Sequence, residues 1–120
     1  MAYTGPERRR YPRIDGRFVV SYRLLDDENN VDVTQTKNLS IGGLLFTTNR
    51  PFEVGSNIAL EIRLPYDRSP IMLICKVVDS REITKNLIYD TRVKFIATDK
   101  RHIKTLSQTV DFYLKKGDTK

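Results

Sequence analysis

The sequence predicts an all-β domain with a C-terminal helix, six antiparallel strands closing into a barrel. Three observations carry this. From Arg17 onward, apolar residues alternate with period two or come in brief β-branched runs. Clusters of turn residues separate these runs at short intervals, leaving no room for a crossover helix. Helical spacing begins only after residue 98.

The strands are expected near residues 17–25, 31–38, 43–49, 56–64, 70–80 and 86–96. Asp26-Asp27-Glu28-Asn29-Asn30 is a polar hairpin loop, Pro51 and Gly55 bracket a turn, Pro65 to Pro70 forms another, and Thr84-Lys85-Asn86 closes the last hairpin. Parallel strands need long crossover connections, so the strands should form an antiparallel meander that closes or nearly closes on itself. Thr98 and Asp99 are good N-caps for the helix that follows. Ile103, Leu106, Val110, Tyr113 and Leu114 make one apolar stripe, with Lys104, Gln108, Asp111 and Lys115 opposite and Gly117 just past the expected end. The stripe suits a plug for an open barrel end, the alternative being a seam with a second subunit. The chain thus divides into an arm at 1–16, a barrel at 17–98 and a helix at 99–116.

A chain of 120 residues is one domain, able to bury roughly two-thirds of its unfolded surface. Its net charge of +6 is uneven, because the first 23 residues hold six arginines against Glu7 and Asp15. That asymmetry points to an anionic partner at the N-terminus. Cys75 is the single cysteine and lies in the apolar run Ile71-Met72-Leu73-Ile74-Cys75, which suits a buried structural thiol and excludes a disulfide framework. No apolar run approaches the roughly 18 residues of a membrane span, and the N-terminus lacks the apolar core of a secretion signal, so a cytoplasmic location is expected. With one histidine, one cysteine, no metal-ligand spacing and no Gly-rich loop opening a helix, the chain is not expected to be an enzyme or to hold a metal or cofactor.

Two segments carry the chemistry. Arg8-Arg9-Arg10-Tyr11-Pro12-Arg13 places four guanidiniums in six residues. Pro12 removes a backbone donor and biases Tyr11 toward extended geometry, so the stretch should be an extended arm. Each guanidinium is a planar fork that can grip a phosphate or the Hoogsteen edge of guanine through two bonds. The second segment is Asn38-Leu39-Ser40-Ile41-Gly42-Gly43-Leu44. A hairpin with glycines at positive φ accounts for Gly42 and Gly43. Asn38 and Ser40 stand two apart and should face the same way on extended backbone, next to a backbone bared by glycine.

In this order, Arg9-x-x-x-Arg13 and Asn38-x-Ser40-x-x-Gly43 followed by the strand pattern and terminal helix, the sequence resembles the PilZ domain family, bacterial receptors for cyclic di-GMP. Asn38 through Phe46 looks like that family's strand-entry signature, and Arg92-Val93-Lys94-Phe95 like its closing strand. The resemblance runs from about Glu7 to the helix and implies the family's split six-stranded barrel. It also implies that Arg9 and Arg13 clasp the ligand from the arm, that Asn38 meets a guanine edge, that Ser40 offers a hydroxyl to base or phosphate, and that Gly43 lets the ligand lie against bare backbone. Asn38 replaces the family's commoner aspartate and so loses charge assistance toward guanine. Arg8 ahead of the motif goes, in this family, with an intercalated ligand dimer rather than one molecule. Arg10 and Gly42 are further candidates, and Arg81 is a candidate stacking residue by spacing, since the chain has no tryptophan.

The expected function is therefore a free-standing cyclic di-GMP receptor whose arm becomes ordered on binding and so alters its interaction with a protein partner that the sequence does not name. Two alternatives stand beside it: a ligand-independent adaptor of the same fold in pilus or flagellar control, and a barrel for single-stranded nucleic acid. The motifs disfavour the first. The expected burial of most Tyr and Phe residues disfavours the second.

Overall fold

The computed structural model describes residues 13–27, 29–64, 69–97 and 100–117. The six expected strands are present as β2 (Val19–Leu24), β3 (Asp32–Leu39), β4 (Gly43–Thr48), β5 (Asn57–Ile62), β6 (Ile71–Thr84) and β7 (Ile88–Ala97), followed by α1 (Lys100–Gly117). A two-residue strand, β1 (Ile14–Asp15), precedes them and was not expected. All pairings are antiparallel. The strand order is β1-β3-β2-β5-β6-β7-β4, and β4 pairs back to β3, closing β2 to β7 into a barrel.

This order corrects the expected meander. β5 does not pair with β4 but lies between β2 and β6, so residues 49–56 cross from one part of the barrel to another and β7 returns beside β4. Turn residues mark where a strand stops. They carry no information about which strand lies next to it. The crossing contains Gly55 at φ 92°, a left-handed conformation suited to glycine, with its N–H donating to Val77 O at 2.9 Å. The last hairpin also differs slightly: β6 runs on to Thr84, and the turn is Lys85 to Leu87 with Asn86 at φ 60°.

Alternation fills the interior. Val20 and Tyr22, Leu44 and Phe46, Ile58, Leu60 and Ile62, Ile71, Leu73 and Val77, and Val93 all point inward and are buried. Each such aliphatic side chain contributes about 1.5–3 kcal/mol. Tyr22 packs edge-on against Phe46 and Phe52, with ring centroids 5.0 and 6.0 Å apart. A directed chain of hydroxyls joins β4, β7 and β6. Thr48 donates to Arg50 O at 2.8 Å, so it accepts from Thr91 at 3.0 Å; Thr91 in turn accepts from Ser80 at 2.9 Å, and Ser80 accepts from Phe52 N–H.

The helix packs its apolar side against the core. Leu106 and Val110 enter the core, Tyr113 meets Phe18 edge-on at 5.5 Å, and α1 contacts β1. Its buried arc is rotated from the expected stripe: Ile103 is exposed, whereas Thr109 is fully buried. Thr109 can be buried because its hydroxyl donates to Thr105 O at 2.9 Å within the helix. The proposed caps Thr98 and Asp99 lie outside the described residues.

Candidate functional site

The site is built where β1 joins the barrel. Ile14 pairs with Leu39 and Asp15 with Asn38, so the end of the arm lies antiparallel to the end of β3. Ile14 and Leu39 are buried, which turns Asp15 and Asn38 outward, and by alternation Arg13 falls on that same outer face. Arg13 is half-buried. Just beyond β1, the fully buried Thr36 fixes the chain: its hydroxyl accepts from Phe18 N–H at 3.0 Å and donates to Gly16 O, and its own N–H donates to Phe18 O at 2.9 Å. Arg8, Arg9 and Arg10 lie outside the described residues.

A bulge sets the direction of Asn38. Thr36 pairs with Phe46 and Asn38 with Leu45, which leaves Lys37 as the extra residue in β3. Lys37 reaches across β4 to β7, with its Nζ 2.8 Å from Asp90 Oδ1 and 3.1 Å from Oδ2. Asn38 is half-buried and has no side-chain hydrogen-bond partner among the described residues.

Ser40 and the glycines differ from expectation. Ser40 does not share a face with Asn38, because β3 ends at Leu39 and Ser40 turns inward to 8% exposure. Its Oγ accepts from Gly42 N–H at 3.1 Å and Gly43 N–H at 3.2 Å and donates to Gly43 O at 3.2 Å, so this hydroxyl organises the turn itself. Neither glycine is at positive φ; among the described residues that conformation occurs at Gly55 and Asn86. Gly43 is small for another reason. A Cβ there would stand 2.2 Å from Val93 O, so the absent side chain lets β4 approach β7.

Pairing carries Asn38 into an outward-facing row across the barrel wall. Asp15, Asn38, Leu45, Arg92 and Asp79 lie side by side on β1, β3, β4, β7 and β6. The neighbouring outer row is Gly43, Lys94, Lys76 and Asn57. Two uncharged amides, one apolar side chain, three cations and the carboxylates of Asp15 and Asp79 thus share a surface bordered by Arg13. Arg92, Lys94 and Lys76 had not been singled out as site residues. Alternation in Arg92-Val93-Lys94-Phe95 does put both cations on the outer face, but only the long-range β4–β7 pairing puts them beside Asn38. Arg81 lies on β6 near this row, is 73% exposed in its side chain, and makes a 3.8 Å ion pair with Asp79.

Among the described residues, this surface offers cations and hydrogen-bonding amides, and no thiol. Cys75 is fully buried in β6, and burial pushes its thiol well above the usual cysteine range. Iodoacetamide at about pH 8 should therefore label Cys75 only in denaturant. Rapid labelling of the native protein would contradict the closed core. Phe18, Tyr22, Phe46, Phe52 and Tyr89 are also buried, which leaves few aromatic platforms for a nucleic-acid strand among the described residues.

Comparison with known proteins agrees with this fold. The family model described as PilZ domain matches residues 7–112. The chain belongs to the PilZ domain family. No curated protein matches its sequence. Among solved structures, this PilZ domain is similar to the Bacillus subtilis inhibitor of motility MotI/DgrA, with a TM-score of 0.73 and 20% identity over 90% of this chain and 52% of that one. It is also similar to the PilZ domain of Escherichia coli YcgR with cyclic di-GMP (0.66, 18%, 92% and 98%) and to the K. pneumonia MrkH complex with cyclic di-GMP (0.68, 18%, 93% and 55%). The chain spans about half the length of the MotI/DgrA and MrkH chains and nearly all of the YcgR domain. At these identities the likeness is one of fold.

Proposed function

We propose that this PilZ domain is a receptor for cyclic di-GMP that acts without catalysis, in the cytoplasm, through a protein partner. Arg9 and Arg13 hold the ligand from the arm, Asn38 reads a guanine edge, and Gly43 brings β4 close to the outer row on β7. Arg8 adds the cation that a second, intercalated ligand would require, and Arg10, Gly42 and Arg81 stand at its margin. Ligand binding orders the arm on the barrel, and that change of surface is what the partner senses.

One observation carries the reading: β1 pairs with the last residues of β3, so the end of the arginine motif and the Asn38 motif meet on one surface although about 25 residues separate them. The YcgR and MrkH structures with bound cyclic di-GMP add support through the shared fold. Ser40 enters the reading as the residue that shapes the turn, since its hydroxyl is already engaged there. Isothermal titration with cyclic di-GMP tests the proposal. Heat at micromolar ligand is expected, with a stoichiometry of one or two per chain reporting whether Arg8 recruits a second molecule. An absence of heat at those concentrations would reject the receptor reading.

A further inference from the structure

We infer that Arg92 is a phosphate-binding residue of the barrel wall, so that the ligand's phosphates are held from the rigid sheet as well as from the arm. The inference rests on the receptor reading above. Asn38, Leu45 and Arg92 are adjacent in one outward row on β3, β4 and β7. Two inter-strand spacings separate Asn38 from Arg92, about 10 Å between backbones. Leu45 between them is half-buried and presents an apolar platform. A purine lying on Leu45 with its Watson-Crick edge toward Asn38 directs its glycosidic bond, sugar and phosphate away from Asn38, toward Arg92.

The neighbouring charges single out Arg92. Lys37, next to Asn38 in β3, is held by both oxygens of Asp90. Asp79, the residue paired with Arg92 across β6, makes its ion pair with Arg81 instead. Arg92 itself is half-buried and has no side-chain partner among the described residues. A planar guanidinium projecting from a central strand, with its fork unused, matches the two-bond geometry of a phosphate. Lys94, two residues along the same face, keeps the surroundings positive.

The full chain, Arg92→Met and Arg92→Lys would be titrated with cyclic di-GMP at two salt concentrations, and each melted without ligand. Methionine keeps much of the aliphatic stem, so both variants should melt close to the parent. Arg92→Met is expected to bind about tenfold more weakly or worse, and Arg92→Lys to recover part of the loss, because lysine keeps the charge toward the phosphate but lacks the two-bond fork. The parent's affinity should also fall more steeply with salt than that of Arg92→Met. Parent-like binding by Arg92→Met, equal salt dependence, or Arg92→Lys as weak as Arg92→Met would overturn the assignment while leaving the receptor reading intact. If the parent itself did not bind, both would fall.

Discussion

Gly43→Ala should lower the melting temperature by roughly 10–20 °C, corresponding to about 3 kcal/mol or more. A Cβ at this position stands 2.2 Å from Val93 O and 3.1 Å from Lys94 Cα, and these are backbone atoms of a central strand that cannot rotate away. β4 would have to part from β7 where Gly43 pairs with Lys94. The same shift would strain the bonds from Phe95 N–H to Gly42 O and from Ser40 N–H to Gly43 O, each 2.9 Å. Gly55→Ala is the informative control. It has open space around the added methyl but a φ of 92°, so its cost is conformational and should be about 1–2 kcal/mol. Thermal unfolding followed by circular dichroism measures both. A Gly43→Ala protein melting within a few degrees of the parent would mean that β4 and β7 are not in this close contact.

Arg13→Ala should weaken cyclic di-GMP binding roughly 5- to 150-fold, the equivalent of one lost two-bond contact at about 1–3 kcal/mol. Ile14, Asp15 and the Thr36 bonds to Gly16 and Phe18 remain in that variant, so β1 should stay on β3. The loss therefore reads recognition rather than unfolding. Arg13→Lys sharpens the test, because it keeps the charge and removes the fork; it should recover only part of the affinity. Calorimetry at fixed ionic strength gives the ratios, and parent-like affinity in Arg13→Ala would remove this arginine from the site.

What was legible in the sequence was local. Val20 and Tyr22, or Leu44 and Phe46, alternate because one face of each strand meets the core, and that pattern is written in consecutive residues. The β4-to-β5 crossing was not legible, because the turn at Gly55 fits a hairpin or a crossing equally well. Neither was β1, since two residues are too few to display a period. The bulge at Lys37 hides within a polar stretch, where an extra residue breaks no visible hydrophobic rhythm. Thr109 reads as polar until its hydroxyl is seen to bond back along the helix. At the candidate site, Arg13 and Asn38 were picked out by their order in the chain, and the pairing of β1 with β3 brings them to one surface. The reasons for Ser40 and Gly43 were not, because a turn hydroxyl and a close strand contact depend on bonds made after folding. Arg92 was hidden for the same reason, since it becomes a neighbour of Asn38 only through β4.

The closure of the barrel also bears on when the outward row comes into being. Gly43 pairs with Lys94 and Val20 with Ile62, so the wall is sewn together by contacts between distant parts of the chain. Topologies dominated by such contacts fold slowly, typically in milliseconds to seconds. The β3–β4 hairpin can form early and align Asn38 with Leu45, but Arg92 arrives only when β7 docks. A nascent or partly unfolded chain therefore carries at most the Asn38–Leu45 part of the row, and any recognition that needs Arg92 should switch on only with the final seam.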